Sequence, residues 1–221
     1  MTIPPNIAEK PIQASVETPL IAETSTPEEE KFVTIEEFWE IVHRPENEGK
    51  KLELVYGVVV EEIRTTTMGG AGARHGRLTN QVAWYFNIHV RPNKLGYIFG
   101  AETGFQFGFK PTGKPLVRCP DMAFVRQERL VLPIPVEYMP YPPDIAIEVL
   151  SPGNTAQQIH DKVRDYLKNG VAIVWVVYPN SESVVVHTTE GAKEYEGEDV
   201  LDGGEILPEF RLVVKDIFAE D

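Results

Sequence analysis

The chain has 221 residues, 42% hydrophobic and 25% charged, with a formal net charge of −13. That is enough apolar material for one globular domain with a real core, and the acidity excludes a surface coated throughout for nucleic acid. A lone cysteine, Cys119, excludes an intramolecular disulfide and a multi-cysteine zinc site; no run nears the roughly 18 apolar residues of a membrane span, and no signal peptide is read at the start, so the expected location is the cytoplasm.

Residues 1–31 carry five prolines and many Thr and Glu without an apolar period, and read as a disordered acidic tail before a single domain over 32–221. Thr34-Ile-Glu-Glu37 has the form of a capping box opening a helix through about Val42. Leu52–Tyr56, Gly57 and Val58–Ile63 read as a hairpin. Met68–Gly76 is Gly-rich but lacks the Gly-Lys-Ser/Thr of a phosphate loop, so it reads as a flexible loop. Arg74 to about Arg91 is amphipathic, with Leu78, Val82, Tyr85, Phe86 and Ile88 near helical spacing. Short strands are expected at Gly96–Phe99, Phe105–Phe109 and Met122–Val125. Asp144–Leu150 has a buried-strand pattern, Thr155–Asn169 is helical up to Gly170, and Ala172–Tyr178 is an apolar run suited to a strand covered on both faces. Ser183–His187, a strand near Phe210–Val213 and a helical turn at Val214–Phe218 follow. Strands mixed with helices make the fold class α/β, with a central mixed sheet flanked by helices.

Charge is uneven along the chain. Residues 64–129 hold ten bases against Glu102, Asp121 and Glu128, so the middle third is basic within an acidic chain. Two readings stand: solvated clustering, or an anion-facing surface that remote acids do not cancel, since screening confines charge effects to about 8–10 Å.

Three positions stand out chemically: Asp121 after Pro120, Glu148 within an apolar strand, and Lys162 on the following helix. A carboxylate inside Ile-Ala-Ile-Glu-Val-Leu is costly to bury unless it is paired or holds a metal; otherwise it is an edge residue facing water. Asp144 lies on the same strand face, but four residues at about 3.3 Å separate the two by roughly 13 Å, too far to share an ion. Asp121 becomes the geometrically possible partner if its strand neighbours that of Glu148, because adjacent strands lie only about 5 Å apart. On a helix wheel Ile159, Val163, Tyr166 and Gly170 form one stripe, and Lys162 lies about 60° from Ile159 on its flank. Arg164 and Lys168 face away. Lys162 lies about 10 Å down its helix and Glu148 about 7 Å back from the strand end, so a helix returning over the strand brings them together. The other reading of Lys162 is an ammonium that snorkels past the rim.

At these residues the sequence resembles the Uma2 family of restriction endonucleases, a cyanobacteria-rich branch of the PD-(D/E)XK nuclease superfamily. The resemblance covers roughly residues 32–218. It rests on Glu53-Leu-Val-Tyr-Gly, His75-Gly76, Gly100-Ala-Glu-Thr-Gly-Phe105, Val117-Arg-Cys-Pro-Asp-Met-Ala-Phe-Val125 with Glu128-Arg-Leu130, and Pro143-Asp-Ile-Ala-Ile-Glu-Val-Leu-Ser-Pro152. Lys162-Val-Arg-Asp-Tyr166 with Asn169-Gly-Val171, Val174-Trp-Val-Val-Tyr-Pro179, Leu201-Asp-Gly-Gly and Leu207-Pro-Glu-Phe210 complete the ordered set.

The resemblance implies a restriction-endonuclease-like fold. It makes Asp121 and Glu148 the motif acids, which with the backbone carbonyl of Val149 would hold Mg²⁺, with Mn²⁺ as a substitute. The superfamily's usual lysine position is Leu150 here, and Lys162 matches the helix lysine that replaces it in Uma2-like sequences. Relatives often carry an acid where this chain has Gln158, which bears on a second metal position or on the orientation of Lys162. Glu53 is implied as an additional acid near the metal, with a solvent-facing hairpin residue as the other reading. His75 is implied near substrate phosphate, or else is a satisfied histidine at a helix start. The implied activity is hydrolysis of DNA phosphodiesters, with a homodimer as the family's common assembly. The rival reading is a nuclease-derived fold without catalysis that binds protein or nucleic acid. A metal-free small-molecule enzyme has no nucleophile–base pairing to recommend it.

Overall fold

The structure, a computed structural model, describes residues 32–62, 72–108 and 112–220. The expected tail, Ile63, the first part of the Gly-rich stretch and the strand end at Phe109 lie outside these residues. In chain order the elements are α1 (Ile35–Val42), β1 (Leu52–Val55), β2 (Val58–Glu61), α2 (Ala73–Asn93), β3 (Gly96–Gly100), β4 (Phe105–Gln106), β5 (Val117–Arg118) and β6 (Met122–Arg126). Then come β7 (Ile145–Val149), α3 (Ala156–Lys168), β8 (Ile173–Tyr178), β9 (Ser183–Thr188), β10 (Gly191–Glu196), β11 (Val200–Gly203), β12 (Leu207–Val213) and α4 (Val214–Phe218).

The central sheet has six strands in the order β10-β9-β8-β7-β6-β3. β7 and β8 are parallel, joined by the crossover helix α3, and the other pairs are antiparallel. Successive side chains of β7 face opposite ways. Ile145, Ile147 and Val149 join Leu78, Val82, Phe86 and Val90 of α2 in one core, with Trp175 of β8. Ala146 joins Ile159, Val163 and Tyr166 of α3 in a second core on the other face. Phe86 meets Trp175 edge to face at 5.3 Å; truncating either ring would cost about 3–5 kcal/mol.

A smaller sheet, ordered β2-β1-β5-β4, brings the hairpin up to the domain. Leu52 and Leu54 pack with Phe38 of α1, Val117 and Tyr138 in a third core. The hairpin turn needs left-handed backbone at Tyr56 and Gly57 (φ 52° and 81°). A Cβ at Gly57 would stand 2.7 Å from the Phe32 side chain, so the position is closed to other residues. The capping box at Thr34 and Glu37 forms as expected, and a second one joins Thr155 and Gln158 at the start of α3.

Some sequence expectations need correction. Ala73–Gly76, the end of the expected loop and from Arg74 also the start of the expected helix, is the first turn of α2, where the Gly76 N–H bonds the Gly72 carbonyl. The long apolar stripe behind it carries the helix across a glycine that costs only about 1 kcal/mol. β5, β10 and β11 had no sequence signal. β5 is two residues long, and β10 is an edge strand, exposed along most of its length, that buries no apolar face to betray it.

Candidate active site

Register places the two motif acids together. β6 and β7 pair with Met122 opposite Ile147 and Ala123 opposite Ala146. One further step puts Asp121 opposite Glu148, and alternation turns both toward the α3 face with Ala123 and Ala146. Asp121 Oδ2 accepts the Val149 N–H at 2.9 Å, which clips the acid to the neighbouring strand. Asp144 lies at the far end of β7, bound by Arg126 Nε and Arg129 Nη1, each at 2.9 Å.

Helix α3 then covers Glu148. Lys162 Nζ lies 3.1 Å from Glu148 Oε2, and the Tyr166 hydroxyl donates to Glu148 Oε1. Lys162 is only 4% exposed, so it does not snorkel. Arg164 instead pairs with Asp161 near the surface at 2.7 Å.

The hairpin supplies what the sequence reading missed. Lys51 and Glu53 share the face of the strand opposite Leu52 and Leu54, so packing the leucines on α1 turns both charges toward α3. Lys51 Nζ bridges Asp121 Oδ1 at 3.1 Å and Glu62 Oε2 at 3.0 Å. Glu62 also reaches Lys162 at 3.3 Å. Glu53 is buried, not solvent-facing: it accepts from Arg118 Nη1 at 2.7 Å and from the Cys119 N–H at 3.0 Å, with Lys162 3.8 Å away. Arg118 also binds Asp165, which accepts from the Tyr56 hydroxyl. Lys51, Glu62, Arg118, Asp165 and Tyr166 were not read as site residues; the traces they left were the two-residue spacing of Lys51 and Glu53 beside buried leucines, Tyr166 on the inward stripe of its helix, and Arg118 and Asp165 inside family segments.

Five carboxylates (Glu53, Glu62, Asp121, Glu148, Asp165) thus meet three buried cations (Lys51, Arg118, Lys162), which leaves an excess of negative charge. It falls hardest on Glu148, where burial first, and then Asp121 and Glu62, push the carboxyl up to about 7 against the pull of Lys162 and Lys51. Burial would also raise Asp121, but His75, Lys51 and Lys162 hold it well below the usual carboxylate range. Burial would lower the Lys162 ammonium, but Glu148, Glu53, Glu62 and Asp121 hold it well above its usual value. Glu53 is brought down to about 2, because Lys162, Arg118, Lys51 and the Cys119 N–H overcome its burial.

A sequence model of the Uma2 family, described as "Putative restriction endonuclease", matches residues 35–215. The chain belongs to the Uma2 family. A crystal structure of a "putative nuclease belonging to DUF820" from Anabaena variabilis ATCC 29413 superposes with a TM-score of 0.69 at 21% identity, covering 84% of this chain and 97% of that one. That likeness shows the nuclease-type α/β fold. A search of curated proteins returns no match.

In this Uma2 domain Asp121 lines a cavity of about 360 Å³ with Lys51, Glu62, His75 and Val149. His75, on the first turn of α2, has Nε2 3.6 Å from Asp121 Oδ1, and that carboxylate raises its imidazole above the ordinary value. Among the described residues its buried Nδ1 has no hydrogen-bond partner. Gln158 is not gathered into the site. It is exposed, and its side chain accepts from Thr155 as the return half of the capping box, a short-range bond that holds it at the helix start. The basic segment is also less free than its sum suggests. Arg118 is buried, Arg126 and Arg129 hold Asp144, and Arg74 and Arg77 bind main-chain carbonyls. Among the described residues no helix is long and apolar enough to cross a membrane.

Proposed function

We propose that this chain is a metal-dependent endonuclease that hydrolyses DNA phosphodiester bonds, with Mg²⁺ as its ion and Mn²⁺ as a substitute. The observation that carries the reading is the cross-strand pair Asp121 and Glu148 with Lys162 Nζ 3.1 Å from Glu148. The donor set fits a hard cation: Asp121, Glu148 and the Val149 carbonyl would hold it by oxygen, and the excess negative charge of the cluster leaves room for added positive charge. Among the described residues no three acidic, imidazole or thiol side chains gather as metal ligands. The protein would therefore supply two carboxylates and a carbonyl and leave the other positions to water and substrate. When bound, such an ion polarises a phosphoryl oxygen and lowers the pKa of water.

The chain's own groups do the rest. Lys162, held protonated by its acidic neighbours, orients the attacking water and offsets charge that develops on the phosphoryl group; one such donor is worth roughly 10²–10³ in rate. Lys51 brings a second ammonium to the cavity wall. The N-cap of α2 is Gly72, which brings no capping side chain, so the N–H groups of the first turn suit a phosphate oxygen. His75 on that turn adds a donor toward the same anion.

One observation favours the rival reading, a nuclease-fold binding module. Each oxygen of Asp121 and Glu148 already has an internal donor: Lys51, the Val149 N–H, Lys162 and Tyr166. The deciding experiment is cleavage of supercoiled plasmid by purified protein with Mg²⁺ or Mn²⁺, with Glu148→Ala as control. Cutting by the wild type alone is expected. Equal cutting by both removes the hydrolase reading, and tight DNA binding under EDTA without any cutting supports the binding module.

A further inference from the structure

Helix α2 runs from the acidic cavity to a second concave surface. Gly76, Asn80 and Ala83 line the cavity at Asp121, and Asn87, Arg91 and Lys94 line a groove of about 790 Å³ farther along. In the chain these residues are spaced four, three, four, four and three apart, so they form one flank of the helix. β3 runs beside that flank. Gly100, at its end, lines the acidic cavity, and Gly96 and Ile98, near its start, line the groove. β3 is the outermost strand of the central sheet, so among the described residues no further strand covers this side.

The groove differs from the cavity in charge. No carboxylate lines it. Arg91 and Lys94 are exposed, and among the described residues neither side chain has a hydrogen bond, ion pair or ring contact. The other described bases of the basic middle third are committed. Arg118, Arg126 and Arg129 hold carboxylates, Arg74 and Arg77 bind main-chain carbonyls, and Lys114 stands 3.6 Å from the centre of the Phe32 ring. Two neighbouring cations without a counter-charge, in a chain of net charge −13, present a positive spot that acids beyond about 8–10 Å do not cancel. Length then selects the anion. Sixteen residues separate His75 from Arg91, roughly 24 Å of helix. A small anion at one end cannot reach the other, whereas a nucleic-acid strand carries a phosphate at every step of about 3.4 Å. The flank between them, Asn80, Ala83 and Asn87, is small and uncharged, so it neither repels nor blocks a backbone.

We infer that this flank of α2 is a backbone track: one strand of duplex DNA, held for cutting at Asp121 and His75, passes over Asn80, Ala83 and Asn87, and Arg91 and Lys94 grip its phosphates about seven base steps from the cut. The inference rests on the nuclease reading above and extends it to how the substrate is held. Contacts of this kind fix register and supply affinity without reading sequence. They also reconcile an acidic chain with an anionic substrate, because the positive charge is needed only along one flank.

The test measures binding of the full chain to a fluorescein-labelled duplex by anisotropy across an NaCl series, with Ca²⁺ at one fixed concentration in place of Mg²⁺. Arg91→Gln/Lys94→Gln is expected to weaken binding about tenfold and to flatten the slope of log affinity against log salt by about two, one for each phosphate contact. Both side chains are exposed, so the variant keeps its fold. Lys168→Gln removes an exposed cation from the last turn of α3 and should leave affinity and slope as they are. Cations at a helix end also offset its dipole. A double variant that melts earlier but keeps the wild-type slope has lost only that role, and overturns the track. A slope change from Lys168→Gln as large per charge removed overturns it too, since net charge alone then explains the effect. With Mg²⁺, wild-type cleavage should fall once the duplex arm on one side of the cut is shorter than about seven base pairs, and the double variant should not sense that length. A slope change in the double variant without plasmid cleavage by the wild type overturns the hydrolase reading and leaves the track standing. Cleavage with an unchanged slope overturns the track alone.

Discussion

Lys51 and Asp121 are 70 residues apart in the chain, yet ammonium and carboxylate meet 3.1 Å apart on the wall of the acidic cavity. Lys51→Met removes a positive charge from beside the ion position without cutting the aliphatic stem. Plasmid cleavage is expected to fall by roughly two orders of magnitude. Half-saturation by Mn²⁺ should move to lower concentration, because one competing cation is gone. Steady-state cleavage across a Mn²⁺ titration measures both effects.

Lys162 and Glu148 form a buried pair, and breaking one side should cost far more than removing both. Lys162→Met leaves Glu148 without its ammonium and is expected to cost about 3–5 kcal/mol of stability. The double variant Lys162→Met/Glu148→Gln should recover much of that loss and stay inactive. Urea unfolding of the three proteins gives the coupling, and plasmid cleavage gives the activity.

Glu53 makes stability depend on acid. Its carboxyl is near 2 in the folded protein against an ordinary 4.5. The folded state therefore favours the anion. The contribution is fully present above about pH 4.5, amounts to about 3 kcal/mol, and is lost as pH falls toward 2. Glu53→Gln should lower stability at neutral pH and flatten its fall between about pH 5 and 2, read from urea midpoints across that range.

Cys119 is buried, and burial first, with Glu53 beside it, pushes the thiol up to about 12. The thiolate is the reactive species. Iodoacetamide at pH 8 should leave the folded protein unmodified over hours and label it fully in urea, as measured by intact mass.

Gln158→Ala removes half of a capping box and no group of the acidic cluster. A loss of about 1 kcal/mol or less in stability is expected, with cleavage unchanged. Thermal unfolding and plasmid cleavage together check it.

Sequence alone determined the features that depend on near neighbours. The apolar run at Asp144–Leu150 fixed a buried strand, Thr34 and Glu37 announced a helix start, and the wheel position of Lys162 turned it toward the sheet. Local periodicity decides which face a residue occupies, so Lys162 was legible from its wheel position, whereas Asp121 joined Glu148 only on the condition that their strands are neighbours and through the family resemblance. The tertiary structure decided which charges meet. Lys51, Glu62 and Arg118 had no assigned role until the hairpin packs Leu52 and Leu54 on α1 and turns the opposite face toward α3. Gln158 was drawn toward the site by the resemblance, because relatives often carry an acid there, yet its side chain is committed to Thr155. The basic middle third read as a surface, yet Arg118, Arg126 and Arg129 are spent on partners 47, 18 and 15 residues away. An ion pair is a short-range contact between groups that chain spacing does not relate, so only the folded arrangement assigns it.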